Sequence, residues 1–399
     1  MIRQKERRNV DMDFGKSQRL PRISGLQFGT VVTAGYMAMG IFYFPREMVT
    51  AAGRDAIWSF WLEGLVTYFL MRLTFAMNRL VPNETLGEFA PKIVSTPIGL
   101  LIGLYTVVYH LALAIVAAVL FGYVLSNIFL PDTPVWGVTG ALVLASLYIA
   151  SLGISSLART LQSGYIPMVL LTILTLVLAM GVIRHPVLLE PPVNIQVIPI
   201  LQGAYREYFL FIGFEVSVTL YPFIRNEERR KGERFAYLGL LLMVFIGTIM
   251  YEATMATFGP AFIPIMRWPV VSLMRILAVN GFFISKWGML VVVLWTIAVV
   301  AFIAIRLWCL AHDMAAMIHW HSRYSYPTFL LIGAIIIFVF SIWIPNAKIT
   351  DYITQTFLLP LGFLYLLGIP LLILTVAHFR KPTVRKLRQK TEPEPPTPG

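Results

Sequence analysis

Runs such as GLLLMVFIGTIM at 239–250 are continuously apolar, and runs of this kind, close to 20 residues long, recur along almost the whole chain. As a helix, that length crosses a hydrocarbon core of about 30 Å and exceeds what a buried helix of a soluble domain needs. Membrane-spanning strands would instead alternate apolar and polar residues over segments of about ten, a pattern these runs do not have. Lipid offers no partner to a backbone donor or acceptor, so each segment must close its own hydrogen bonds as a helix. Ten spans are expected, at 26–50, 56–79, 98–130, 134–153, 158–183, 201–224, 236–258, 286–312, 326–344 and 353–378. Composition agrees: the chain is 58% hydrophobic and 13% charged, against roughly 25% charged in soluble domains.

Lysine and arginine set the orientation. The segment before the first span carries seven, the loop IRNEERRKGERF (224–235) five and the stretch FRKPTVRKLRQK (379–390) six, whereas LPDTP (130–134) and PNAKITD (345–351) hold one between them. Basic loops stay on the cytoplasmic side, so both termini are expected inside, as ten helices require. Three regions follow: a cytoplasmic N-terminal segment over 1–25, a transmembrane domain over 26–378, and a basic, Pro-rich cytoplasmic tail over 379–399. The net charge of +12 sits in these juxtamembrane stretches, where attraction to anionic lipid, about 1 kcal/mol per residue, accounts for it. The lipid bilayer is therefore the expected partner of that charge, and nucleic acid is not. The first 22 residues lack the short apolar core and small-residue cleavage site of a removable leader. Cys309, the single cysteine, reads as a packed thiol. The stretch TEPEPPTPG at 391–399 reads as disordered.

The first span contains GYMAMGIFYFPRE (35–47). Proline removes a backbone donor and clashes with the preceding turn, and glycine adds freedom, so Gly40 to Pro45 is where this helix should kink or unwind. Freed backbone groups are tolerated at membrane depth only when buried in protein or lining a wet cavity. The sixth span, YREYFLFIGFEVSVTLYPF (205–223), repeats the pattern, with Gly213, then Pro222, and a lone acid, Glu215, in mid-helix. Interrupted helices at positions one and six of ten are what two five-helix inverted repeats predict, with a ligand held between them near the midplane.

GIF (40–42) within MAMGIFYFP, and FLFIGFE (209–215), resemble the first- and sixth-helix motifs of the amino acid-polyamine-organocation transporter superfamily. GIFYFPREM, AAGRDAIWS (51–59), FLFIGFEVSVTLYPF (209–223), FGP (258–260), RWPVVSLMR (267–275) and GFFISKWGMLVVVLWTIAV (281–299) resemble, in order, the B subunits of spore germination receptors, over roughly 25–378. The resemblance implies an all-α integral membrane fold of ten transmembrane helices, a LeuT-like 5+5 inverted repeat with broken first and sixth helices. It also implies residence in the inner membrane of a dormant spore, partnership with a receptor A subunit and a lipoprotein C subunit, and sensing of a nutrient germinant, often an amino acid. A stand-alone proton-coupled amino acid transporter is the alternative, since sensor and carrier share a pocket and differ in turnover.

Carried over by position, the ligand's carboxylate falls on the backbone of Ala38, Met39, Gly40 and Ile41, and its ammonium on carbonyls around Phe209, Phe211 and Ile212, with Gly213 giving room. Amide donors at a half-helix N-terminus suit an anion, and unwound carbonyls suit a cation. Apolar surroundings from Met37, Met39, Phe209, Phe211 and Phe214 point to a small apolar side chain on the ligand. The family's acidic pattern after GFF is absent: this chain has Ser285, Lys286, Trp287 and Gly288 there.

Ionisable residues inside the spans are weighed singly, because a charge in a membrane helix is a functional suspect. Glu215 has three roles open to it: binding an ammonium, carrying a proton, or capping the unwound segment. His110, beside Tyr109 with Tyr105 a turn earlier, is either a cavity-lining, titrating group or a neutral histidine bonded to a neighbouring helix. Glu63 and Glu252 stand nearer the outer ends of their helices and are expected to face a wet vestibule. Arg159, in SLARTLQ, either takes the place that sodium holds in sodium-coupled relatives or anchors its helix at the inner surface; its permanent charge carries no proton. Thr296 has no adjacent hydroxyl on the eighth span, which disfavours sodium coupling. His312, His319, His321 and Asp313 form a weak metal pattern. No nucleophile with a base, no phosphate loop and no Cys/His set supports an enzyme, and neither metal nor cofactor is expected.

Overall fold

A computed structural model describes residues 22–39, 44–189, 195–277, 287–318, 322 and 324–391. The first expected span is in two parts, α1 (Gly25–Met39) and α2 (Arg46–Ala52). Helices α3 (Ala56–Asn78), α5 (Thr96–Ile128), α6 (Val135–Ser151) and α7 (Ile154–Ala179) match the next four spans. Between α3 and α5 lies a short helix the sequence reading lacks, α4 (Leu86–Ile93), started by a capping box in which the Thr85 N–H donates to the Glu88 carboxylate at 2.7 Å.

The sixth span is interrupted. Helix α8 (Val197–Glu207) ends in a tight 3-10 turn at Tyr208–Phe211, the chain is extended at Ile212, and it resumes through Phe214–Val216 as the single turn α9 (Ser217–Leu220). Then follow α10 (Arg229–Phe258), the short α11 (Pro269–Ile276), α12 (Trp287–Met317) and α13 (Ser325–Trp343). The last span is built from α14 (Ala347–Ile353), α15 (Leu359–Phe363) and α16 (Ile369–Phe379), separated by π turns at Thr354–Leu358 and Leu364–Gly368. Each π turn is followed two residues on by a proline, Pro360 or Pro370. A proline withholds its donor and crowds the carbonyl four residues back, which widens the preceding turn. The chain closes with the basic helix α17 (Lys381–Thr391).

Six of these stretches are long and apolar enough by themselves to cross a membrane: 96–128, 154–179, 226–258, 293–317, 325–343 and 347–379. The other four expected spans fall short individually. Helix α6 is apolar but has 17 residues, α3 carries Glu63 and Arg72 in its length, and the first and sixth spans are broken. Outward faces are apolar throughout, with Leu101, Leu144, Leu241 and Trp343 well exposed. A helix apolar on its outer as well as its inner face belongs in lipid.

Inside the bundle α1 packs along α10, and α12 along α5. The crossing of the two broken helices is tighter still: a Cβ on Gly35 would stand 2.7 Å from the Gly213 Cα, and one on Gly213 would stand 3.0 Å from the Tyr36 backbone nitrogen. Glycine is required at both positions because backbone meets backbone there.

The end of the bundle rich in basic residues is held by a second tie. Ile23 bridges Ile224: the Ile23 N–H donates to the Phe223 carbonyl at 2.8 Å, and the Arg225 N–H donates to the Ile23 carbonyl at 3.1 Å. Next to it the Gly25 N–H, at the start of α1, donates to the Glu228 carboxylate at 2.7 Å. That amide holds the Glu228 carboxyl below its ordinary value of 4.5, with Arg225 assisting. A lowered value in the folded state means that this tie stabilises the protein above the ordinary value and is lost as pH falls through the folded one. Melting of the wild type and of Glu228→Gln should therefore differ at neutral pH, with the variant lower, and converge under acid. Parallel curves at every pH would show that the contact contributes nothing.

Candidate functional site

The end of α1 and the interruption of the sixth span are both buried in the bundle, α1 crossing the sixth span at Gly35 and Gly213. Ala38, Phe209, Phe211 and Ile212 are all buried, and the turn at Tyr208–Phe211 closes only weakly, with the Ile212 N–H 3.4 Å from the Phe209 carbonyl. Of the expected carboxylate-binding backbone, Gly40 and Ile41 lie outside the described residues; Ala38 and Met39 are the last residues of α1. Aromatic rings support the crossing from one side: Tyr36 packs on Phe211 at 6.2 Å between centroids, Phe211 on Phe60 at 5.4 Å, and Phe60 on Phe44 at 5.1 Å. The Tyr36 hydroxyl donates to the Met71 sulfur at 3.3 Å. Pro45 immediately precedes α2, and Pro222 sits in the tight turn after α9.

Beside the break lies a fully buried ion pair. Arg306 of α12 donates through Nη2 to the Glu215 carboxylate, with the two side chains 1% and 0% exposed. The same guanidinium donates to the Phe302 carbonyl at 3.2 Å and lies over the Phe302 ring. Tyr109 and His110 of α5 come near this pair: Tyr109 is close enough to feel both charges and His110 that of Arg306. The Tyr109 hydroxyl, both His110 ring nitrogens and Arg306 Nε are buried without a hydrogen-bond partner. From the last span Tyr365 packs on Tyr109 at 5.0 Å and on His110 at 6.3 Å, and Gly362 lets the Tyr109 hydroxyl approach, since a Cβ there would be 2.6 Å from it.

On the side away from the basic end, a small pocket opens above the break, lined by Arg46, Glu47, Glu207, Phe209, Asp351 and Gln355, among others. Its free space of about 30 Å³ has room for about two waters. Arg46 spans the mouth, donating to Glu47 at 2.6 Å and to Asp351 of α14 at 3.4 Å. Helix α2 is thereby joined to α14 across the mouth of the pocket.

The structure relocates several residues singled out from sequence. Glu215 is engaged by Arg306, so its charge has a protein partner. Arg159 is exposed near the start of α7 with Ser156 as its 3.4 Å neighbour, so the cation placed inside the bundle is Arg306. Glu63 is corrected: it faces no wet vestibule, being 1% exposed against α8. Glu252 is half-buried and faces Arg54. His110 makes no hydrogen bond to a neighbouring helix, both of its ring nitrogens being buried without a partner. His319 and His321 lie outside the described residues; His312 stacks on Trp308 at 5.1 Å, and Asp313 accepts from the Thr219 hydroxyl at 2.6 Å. Arg306, Tyr365 and the Arg46–Asp351 bridge were missed, although an arginine inside AVVAFIAIRLWCLAH is as unusual in lipid as Glu215.

A family model described as "Spore germination protein" matches residues 22–349. The chain belongs to that family. Among its relatives, spore germination protein A2 of Bacillus subtilis (strain 168) is 22% identical over 360 residues, covering 87% of this chain and 96% of the relative. Spore germination protein GerQB of Bacillus cereus is 22% identical, covering 83% and 88%. Two solved structures resemble this germination protein in fold: a Na+-coupled sialic acid symporter, with TM-score 0.63, 12% identity and coverage of 87% and 79%, and MhsT in complex with L-phenylalanine, with TM-score 0.60, 14% identity and coverage of 94% and 97%. The fold is therefore that of the LeuT-type transporters.

Proposed function

We propose that this germination protein is the germinant-sensing membrane subunit of a spore germination receptor and binds a small amino acid-like ligand between its unwound first and sixth helices. In this reading ten helices cross the inner membrane with both termini in the cytoplasm, and the chain works with a receptor A subunit and a lipoprotein C subunit. One observation carries the proposal. The two interrupted helices cross at Gly35 and Gly213, and around that crossing the Tyr109 hydroxyl, both His110 nitrogens and Arg306 Nε are buried with nothing to bond.

Each such group costs about 1–3 kcal/mol while unsatisfied, and a zwitterion entering from the pocket above would bring both an acceptor and donors to them. Phe209, Phe211 and Ile212 supply carbonyls for its ammonium, Ala38 to Ile41 supply backbone donors for its carboxylate, and Gly213 gives room. The L-phenylalanine bound by MhsT, a fold neighbour, is in keeping with this ligand class. Sensing requires only that the ligand bind one conformation better than the other. Accumulation of labelled amino acid in proteoliposomes under a pH gradient would instead identify a carrier.

Melting of the protein in lipid nanodiscs against amino acids, sugars and purine nucleosides tests the reading. At a hundred times its dissociation constant a ligand adds about 2.7 kcal/mol to stability. An amino acid is expected to raise the midpoint, and Gly40→Val to abolish that rise. No shift with any compound, in the subunit alone and in complex with its A and C partners, would overturn it.

A further inference from the structure

Helix α17 turns a charged face toward the bundle. Its start is fixed by Arg380, whose guanidinium donates to the Ile93 and Val94 carbonyls at the end of α4, at 3.0 Å each. From that corner Val384 and Leu387 pack back onto the bundle, so α17 lies against it instead of extending the last span into water. Lys381, Val384, Arg385 and Arg388 are spaced i, i+3, i+4 and i+7 and share one face of a helix. That face lines a cleft together with Arg79 and Leu80 at the end of α3 and with Leu374, Ala377 and His378 of α16.

The cleft holds about 460 Å³ of free space, within the range of about 300–1,000 Å³ usual for small-molecule sites, and among the described residues no acid lines it. Arg79 gives its Nη1 to Glu233 at 2.9 Å, and a guanidinium keeps further donors beyond that one. Lys381 and Arg385 have no acidic partner among the described residues. Like charges one turn apart on a helix destabilise it. Lys381 and Arg385 stand in that relation on a face turned toward the protein, and an anion in the cleft removes the cost.

We propose that this cleft is a headgroup site for one anionic phospholipid, separate from the ligand pocket and more specific than the diffuse attraction any basic segment exerts on a membrane. Arginine forks take phosphate oxygens in pairs, and Lys381 adds a point charge. Two features select a lipid over a soluble anion. The cleft lies where the last membrane-crossing stretch, 347–379, ends, which is headgroup depth. Its remaining wall is apolar, from Leu80, Leu374, Ala377 and Val384, and Leu371, one turn before Leu374, is 46% exposed on the outer face. Acyl chains therefore leave the site along α16 without crossing water. The bound lipid ties α17 to α16 and to the end of α3.

Native mass spectrometry of the full chain, released from micelles of phosphatidylcholine and phosphatidylglycerol, counts the lipids retained. No germinant is present, so failure here leaves the germinant reading untouched. The wild type should keep a single phosphatidylglycerol, and Lys381→Gln with Arg385→Gln should weaken that retention about 30-fold, the worth of two basic residues beside anionic lipid. Lys231→Gln with Lys386→Gln removes as much charge without touching the cleft and should retain the lipid as the wild type does. Equal retention in the two double variants, whether both keep the lipid or both lose it, would overturn the site. So would a rise in melting midpoint with inorganic phosphate or an acidic peptide, in phosphatidylcholine nanodiscs, that matches the rise given by phosphatidylglycerol.

Discussion

Arg306→Leu is expected to destabilise the protein by about 3–5 kcal/mol, the cost of leaving one member of a fully buried ion pair without its partner. The stranded group is Glu215, at 0% exposure in the broken part of the sixth span, and no described cation other than Arg306 bonds to it. The matching double variant, Arg306→Met with Glu215→Leu, should recover most of that loss, because replacing both charges by apolar groups of similar volume is often neutral or better. Chemical unfolding of the three variants in detergent measures this directly. Near-wild-type stability in Arg306→Leu would mean that the pair is hydrated or open. Recovery of stability without recovery of the ligand-induced shift would assign the pair to binding as well as to the fold.

Gly35→Val carries the second large effect. Its Cβ would stand 2.7 Å from the Gly213 Cα and 3.4 Å from the Gly213 carbonyl carbon and oxygen. These are backbone atoms that cannot rotate aside as a side chain would, so the crossing has to open. Overpacking of this kind costs about 1–3 kcal/mol, and the geometry of both breaks goes with it, so the ligand-dependent rise in melting midpoint should vanish as well. Gly181→Ala, where an added Cβ meets nothing within 4 Å, is the control and should behave as wild type. A Gly35→Val protein that keeps both its stability and its ligand response would refute the backbone-to-backbone crossing.

What the sequence discloses about this molecule follows from the solvent it lives in. Lipid forces each crossing to be continuous and apolar, so the long helices α5, α7, α10, α12 and α13 lie close to their expected bounds, and the interruptions stand out because glycine, proline and Glu215 are foreign to such runs. Pairing between helices is set by three-dimensional neighbours, and that is where reading fails. Arg306 lies 91 residues from Glu215, and the burial of Glu63 is decided by α8 rather than by its depth along α3. Arg159, three residues from a serine at a helix start, carries the same letter as Arg306 and ends outside the bundle. The π turns of the last span left a trace in Pro360 and Pro370, but a proline alone does not distinguish a kink from a widened turn.

The two places where the broken helices are tied, Gly35 against Gly213 and Ile23 against Ile224, stand about 18 Å apart at a rise of 1.5 Å per residue. Two rods pinned at one point can scissor; pinned at two, they form a frame. The first-helix segment and the sixth-helix segment between these pins are therefore held at both ends, and in the proposed reading a ligand that displaced one of them would have to carry the other with it toward the Glu228 loop.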